Sequence, residues 1–308
     1  MALLFISNFK NADSWVKEFH NQARDIELYV WPRIVDVEKV EFIAVWSYED
    51  IDYNVFPNLK CISSLAAGID HLDLKKIPQE ISVTRIVDPA MRTQMSEYVI
   101  MAVCNYRRHL IEYKFQQHTK VWTKIPEIDM ADLTVGVMGV GSLGMDAALK
   151  LQALGYPVIG WSYSPKPDAE ITVFSGKKGL QDFIARSKIL VCFLPVTDKT
   201  ENILNRATLS QLPKDAYLIN VARGALLVDE DLISLLDSNH LFGACLDVFR
   251  KEPLPLEHPF WHHPKIIVTP HMSSNPIFKN AVKQIIANYR RMKSGEELLN
   301  VVDKNKGY

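Results

Sequence analysis

Short apolar runs alternate with longer amphipathic stretches along most of the chain. The runs at 3–7, 42–46, 61–65, 134–138, 157–161, 189–194, 216–221, 243–247 and 266–269 are predicted as strands. Many are rich in β-branched residues and show no in-and-out alternation, as expected of strands covered on both faces. Helical periodicity marks 142–154, 229–238 and 278–293. Strand alternating with helix predicts an α/β fold with parallel sheets and crossover helices. A long helical stretch from 96 to about 118 divides an N-terminal set of strands from a central set that begins at 134. After Pro270 the strands stop and a terminal helix follows. The expected organisation is one domain over 1–98, rejoined by 272–308, and a second over 99–271.

A length of 308 residues fits about two domains. With 48% apolar and 23% charged residues, a disordered, collagen-like or disulfide-scaffold chain is excluded. The net charge of -1 gives no global pull toward nucleic acid or an anionic membrane, so neither is expected as a partner. No apolar run reaches 18 residues. The start, MALLFISNFK, lacks a basic leader and reads as a first strand, not a signal peptide. Cys61, Cys104, Cys192 and Cys245 are far apart and sit among apolar neighbours, which predicts free thiols in a reducing cytoplasm.

The strand at 134–138 runs into Gly139-Val140-Gly141-Ser142-Leu143-Gly144 and then a helix. The GxGxxG pattern alone is weak, but this is the strand–turn–helix context it requires. Gly139 suits the tight turn, Gly141 a close approach of pyrophosphate, and Gly144 close helix–strand packing. Unpaired N–H groups at the helix start would face the phosphate. The bland reading is a glycine-rich turn without ligand. The fold class that follows is two Rossmann-like domains with parallel sheets, the discontinuous one flavodoxin-like and the 99–271 one binding a dinucleotide.

An NAD site places Asp or Glu at the end of the next strand, near the ribose hydroxyls. Here the chain reads Gly160-Trp161-Ser162-Tyr163-Ser164-Pro165-Lys166, with no acid until Asp168. Ser162 and Ser164 can donate hydrogen bonds and Lys166 can supply charge to a 2′-phosphate. NADP(H) is therefore preferred over NAD(H), which stays possible; Lys166 as a solvated turn residue is the bland alternative.

Three polar residues stand at strand ends on the side where an open α/β sheet binds ligands. Arg223 follows the run ending at Val221, Glu252 follows CLDVF, and His271 follows IIVTP. Singly, each has an ordinary explanation: a surface turn, a solvated acid, a structural histidine. Together they fit hydride transfer to a ketone. A histidine donates the proton, a carboxylate orients it and favours its protonated form, and a guanidinium holds a substrate carboxylate. The set suits reduction of a small 2-oxo acid.

The segments SSLAAGIDHLD, GVMGVGSLG, FLPVTDKTENILN, INVARGALLVDEDLI, CLDVFRKEPLP and HPFWHHPKIIVTPH resemble the D-isomer-specific 2-hydroxyacid dehydrogenase family. LAAGIDHLDL, MRTQMSEYVI, GWSYSPK, HPFW and the terminal Lys-Gly-Tyr are similar to its branch acting on glyoxylate and hydroxypyruvate. The resemblance implies Arg223 as substrate binder, His271 as proton donor and Glu252 as its partner. It implies that the Ala67 and Gly68 amides receive the substrate carboxylate and that Trp46, in AVWSYED, lies near the pocket mouth, against packing as the plain alternative. On the cofactor side it adds Leu194, Pro195, Val221 and Ala222 as lining, with Asp247 on the nicotinamide carboxamide. A homodimer is implied by the resemblance alone.

Two departures stand out. Tyr163 occupies a position where the reductase pattern has Arg, which removes one cation from the 2′-phosphate site. Ser273 and Ser274 follow the histidine where the family has other small residues. A dinucleotide-sensing scaffold of the same fold stays open, since such scaffolds can keep the trio; a methyltransferase would leave the trio unexplained. No catalytic metal is expected, because Pro259 and Pro264 break any helix that would align His258, His262 and His263.

Overall fold

The computed structural model describes residues 2–46 and 51–304. Residues 47–50, within AVWSYED, and the terminal 306–308 that carry Lys-Gly-Tyr lie outside the described residues. The chain divides into two compact units, Met1–Met91 with Asn275–Tyr308, and Arg92–Ser274.

The first unit holds β1 (Ala2–Ser7), α1 (Ala12–Gln22), β2 (Glu27–Val30), β3 (Val40–Trp46), β4 (Cys61–Ser64) and β5 (Ser82–Thr84). The chain leaves it through α2 (Pro89–Arg107). In the second unit follow α3 (Leu110–Thr119), β6 (Val135–Met138), α4 (Ser142–Ala153), β7 (Val158–Ser162), β8 (Thr172–Ser175), α5 (Gly176–Arg186) and β9 (Ile189–Cys192). Then come α6 (Arg206–Leu209), β10 (Ala216–Asn220), α7 (Asp229–Asp237), β11 (Leu241–Leu246) and β12 (Ile266–Val268), before α8 (Phe278–Ser294) returns to the first unit.

Both sheets are parallel. The first has the order β2-β1-β3-β4-β5, the flavodoxin-like order. The second has the order β12-β11-β10-β9-β6-β7-β8, a Rossmann order extended by one strand. Its direction of winding reverses between β6 and β9, and all its strands end on one edge.

Burial on both faces explains the unbroken apolar runs. Leu4 and Ile6 of β1 join Ile43, Val45 and Ile62 on one face. Leu3 and Phe5 join Trp15 and Phe19 of α1 and Ile285 and Tyr289 of α8 on the other. In the second sheet Val135 and Val137 pack with Val99, Ala102 and Val103 of α2 and Leu151 of α4. Its opposite face packs Leu190, Leu218 and Leu246 with Phe183 of α5 and Leu232 and Leu236 of α7.

Two expectations are corrected. Three strands had no predictive run, β2, β5 and β8, and all three are sheet edges. Each is only three or four residues long and mixes polar with apolar side chains, so it carries no apolar run; the fourth edge strand, β12, is the apolar IIV and was predicted. The helical stretch expected from 96 to 118 begins at Pro89 and breaks at His109, which takes a left-handed φ of 56°. The break is held by the His109 ring, bonded to Glu112 at 2.9 Å and to the Pro126 carbonyl at 3.0 Å.

Phe183 is fully buried in the second core, whereas Leu256 is 89% exposed. Phe183→Ala should cost about 3–5 kcal/mol, and Leu256→Ala less than about 0.5 kcal/mol. Urea unfolding followed by circular dichroism checks the contrast.

Candidate active site

The glycine loop follows β6 directly. Gly139 turns at φ +105°, and a Cβ there would lie 2.9 Å from the Phe193 carbonyl carbon. A Cβ on Gly144 would lie 2.1 Å from the Gly139 carbonyl oxygen, so α4 packs on β6 only with glycine there. Gly141 differs, because among the described residues no atom beyond its own chain neighbours lies within 4 Å of its Cβ position. That open space adjoins the start of α4, where the cap offers no side-chain hydrogen bond. The first bond of the helix runs from Met145 N–H to Gly141 O at 2.9 Å, so the N–H groups of Ser142, Leu143 and Gly144 have no intrahelical acceptor. This donor set fits a dinucleotide pyrophosphate.

The neighbouring strands bracket the loop. After β7, the Ser162 hydroxyl donates to the Ser164 carbonyl at 2.6 Å, shaping the turn that exposes Tyr163 and Lys166. Lys199, which follows β9, sets its ammonium 4.8 Å from the Tyr163 ring centre. Leu194 is buried and Pro195 exposed at the end of β9; Val221 and Ala222 are buried at the end of β10.

Arg223 stands on a turn fixed by Asn220. The fully buried Asn220 accepts from Ala222 N–H at 3.1 Å and donates to Arg223 O at 3.0 Å. Arg223 Nη1 donates to Ala222 O at 2.6 Å. A Cβ on Gly224 would lie 1.9 Å from the Phe249 carbonyl carbon, so this turn presses against the loop after β11. Glu252 sits three residues further along that loop.

His271 Nδ1 lies 2.7 Å from Glu252 Oε2. Glu252 Oε1 accepts the Phe249 N–H at 2.9 Å, so both carboxylate oxygens are engaged. Burial pushes the Glu252 carboxyl up. The hydrogen bonds from His271 and Phe249, with the charges of His271 and Arg223, outweigh burial and hold it below its ordinary 4.5. Arg223, Glu252 and His271 are thus electrostatically joined at one strand-end edge.

His271 itself takes a left-handed φ of 50°, which costs an L-residue roughly 1–2 kcal/mol. The fully buried Asp247 carboxylate holds this turn. It accepts the Thr269 hydroxyl at 2.6 Å and the Met272 and Ser273 N–H groups at 2.9 and 2.8 Å. Behind Thr269, at 2.6 Å, is the hydroxyl of Tyr98, itself 3.2 Å from Cys245 Sγ. Burial pushes the Tyr98 hydroxyl up, and the Cys245 thiol up to about 11, so both stay protonated at neutral pH. Since Thr269 gives its only proton to Asp247, Tyr98 donates to Thr269 and Cys245 to Tyr98. Sequence reasoning missed Tyr98, Thr269 and Asn220; only a polar residue within an apolar strand end, as in LINVARG and IIVTPH, pointed to the last two.

Trp46, Ala67 and Gly68 belong to the first unit, at the ends of β3 and β4. Trp46 stacks on Phe9 at 5.4 Å and meets His71 at 4.5 Å. The Ser64 hydroxyl accepts Ala66 N–H at 3.0 Å and donates toward Gly68 O at 2.9 Å, which folds the chain into a tight loop. Among the described residues the Ala67 and Gly68 N–H groups donate to no acceptor. His258 and His263 pair with different acids, Asp229 and Asp237, both at 3.4 Å.

The profile of the D-isomer specific 2-hydroxyacid dehydrogenase NAD binding domain matches residues 100–273. This chain belongs to that family. Glyoxylate/hydroxypyruvate reductase A of Photorhabdus laumondii is 38% identical to it over the full length of both chains. Among solved structures, a D-isomer specific 2-hydroxyacid dehydrogenase from Xanthobacter autotrophicus Py2, in complex with NADPH and MES, is 35% identical. It superposes with a TM-score of 0.93, over 100% of this chain and 99% of its own. The NADPH-dependent glyoxylate/hydroxypyruvate reductase of Sinorhizobium meliloti, in complex with NADP and sulfate, is 32% identical, with a TM-score of 0.92 over the whole of both chains.

Two outcomes follow for this dehydrogenase. Thr269→Val keeps the shape but strips Asp247 of a donor and Tyr98 of an acceptor, at a cost of about 1–3 kcal/mol. Thr269→Ser should recover most of that loss in the same unfolding assay. The depressed Glu252 carboxyl contributes stability that is complete above 4.5 and is lost as pH falls through its lower folded value. Glu252→Gln should therefore be less stable than the parent at neutral pH, with the gap closing in acid. A gap that persists in acid would mean that the ionised pair is not what the substitution removes.

Proposed function

We propose that this chain reduces small 2-oxo acids, glyoxylate to glycolate and hydroxypyruvate to D-glycerate, with NADPH as reductant. The observation that carries this reading is the 2.7 Å His271–Glu252 pair, with the Arg223 charge acting on it. It stands on the same sheet edge as the glycine loop. When bound, the cofactor supplies a hydride to the carbonyl carbon. Negative charge then grows on the carbonyl oxygen, and His271 neutralises it by giving up a proton. Nδ1 is engaged by Glu252, so the transferred proton leaves from Nε2. One C–H and one O–H bond form, and Glu252 keeps the ring in place because its other oxygen is tied to the Phe249 amide.

Arg223 would polarise the carbonyl and hold the substrate carboxylate, which its fork geometry suits. The free Ala67 and Gly68 amides are assigned to the substrate carboxylate, with Trp46 shaping the apolar side. Gly139, Gly141, Ser142, Leu143 and Gly144 would hold the pyrophosphate, and Leu194, Pro195, Val221 and Ala222 would line the cofactor. Asp247 already accepts three hydrogen bonds; a carboxylate offers about four acceptor positions, and the remaining one is assigned to the nicotinamide carboxamide. Ser162, Tyr163, Ser164 and Lys166 form a turn without an acid, which supports NADPH over NADH. Relatives named for NADPH and for glyoxylate/hydroxypyruvate reduction support the cofactor and substrates.

A homodimer is supported by an apolar surface on the second unit, where Leu110, Phe115, Val121 and Trp122 are all exposed, Trp122 fully. The four free thiols fit a cytoplasmic location. Among the described residues no helix is long and apolar enough to cross a membrane.

Steady-state assays with NADPH and NADH on glyoxylate and hydroxypyruvate test the reading; absence of turnover with every pair overturns it. His271→Gln should lower kcat by about 10²–10⁴-fold. Arg223→Ala should raise KM for the 2-oxo acid strongly as well as lower kcat. Light scattering should return the mass of a dimer, and Trp122→Asp should shift it toward the monomer.

A further inference from the structure

We propose that Tyr163 and Lys199 act as a pair that gives the 2′-phosphate site a second cation beside Lys166: the Tyr163 ring holds the Lys199 ammonium where it can bind the phosphate. This deepens the NADPH reading and rests on it. Tyr163 is the first residue after β7 and carries no positive charge. A phenol cannot neutralise a phosphate dianion, and Lys166 alone leaves it half-compensated. Yet the sheet order places β7 and β9 on the two sides of β6, whose loop is the phosphate cradle. The loop after β9 therefore reaches the residues after β7 across that cradle.

Lys199 is the residue that makes the contact. Its ammonium is 4.8 Å from the Tyr163 ring centre, inside the roughly 6 Å range of a cation–π interaction. Its backbone is fixed by a small turn. Thr200 Oγ1 accepts Thr197 N–H at 2.8 Å and donates to Pro195 O at 2.6 Å. The ring face attracts the ammonium without using up its N–H donors as a carboxylate would, so those donors remain for a phosphate oxygen. Beside Tyr163 the backbone also favours an anion. α5 opens at Gly176, whose Cβ position is 4.0 Å from the Tyr163 carbonyl oxygen. Its first turn carries Lys177 and Lys178 and no acid. The tyrosine thus serves as a platform for a cation supplied by a different loop.

The test measures binding, not turnover. Calorimetry with the full chain compares 2′,5′-ADP with 5′-AMP, which differ only by the 2′-phosphate. The parent should prefer 2′,5′-ADP. Lys199→Met should weaken 2′,5′-ADP by about tenfold, the size of one charge-assisted hydrogen bond, and leave 5′-AMP unchanged. Tyr163→Leu should weaken it by about two- to fivefold, as expected for loss of a cation–π contact. In the Lys199→Met background Tyr163→Leu should have no further effect, because the ring acts only through the ammonium. Tyr163→Arg should restore 2′,5′-ADP binding to Lys199→Met. If the parent prefers 2′,5′-ADP and Lys199→Met binds it equally well, the pair is overturned and the NADPH reading survives. If the parent shows no preference between the two nucleotides, both fail.

Discussion

Asp247 is fully buried, and its carboxylate gathers the Thr269 hydroxyl and the Met272 and Ser273 amides around the end of β12. Those bonds force the chain into a turn that His271 crosses in the left-handed region. Without them the histidine would relax to an ordinary φ and its ring would swing away from Glu252. The backbone supplies the other half of the clamp, since His271 N–H donates to Asp247 O at 2.8 Å. A conformation that costs free energy locally persists because surrounding bonds over-determine it. The arrangement of His271 is therefore set by β11 and β12 together, and the Tyr98 and Cys245 hydroxyl and thiol extend the network to α2.

Most of the fold was legible in the chain because parallel strands covered on both faces must be apolar throughout. Strands such as 134–138 and 216–221 declared themselves in this way, and the glycine loop after the first of them fixed where the winding begins. The edge strands β2, β5 and β8 did not, since three or four residues that mix polar with apolar side chains make no run. Nor did the break at His109, which depends on a bond to the distant Pro126 carbonyl. At the candidate site the three residues that the structure brings together, Arg223, Glu252 and His271, were legible by type and position at strand ends. Those that hold them were not. A threonine in IIVTPH and a tyrosine in SEYVIMAV look like ordinary strand and helix residues until the sheet brings them to 2.6 Å. Lys199 was invisible for the same reason, because its contact with Tyr163 is made between loops 36 residues apart in the chain.

Glycine governs the spacing at both functional ends of the second sheet, but by opposite means. At 144 and 224 its absence of a side chain lets two pieces of backbone touch, α4 on β6 and the Arg223 turn on the loop after β11. The second contact brings Arg223 near enough for its charge to act on Glu252. At 141 the absence leaves a void instead. A Cβ at either of the first two positions would push elements apart; at 141 it would enter open space at the start of α4. Close contact and vacancy are thus written with the same residue type. What distinguishes them is whether the sheet already supplies a neighbour. Around 144 and 224 the neighbouring backbone fills the space, while the opening beside 141 adjoins helix N–H groups that have no acceptor among the described residues.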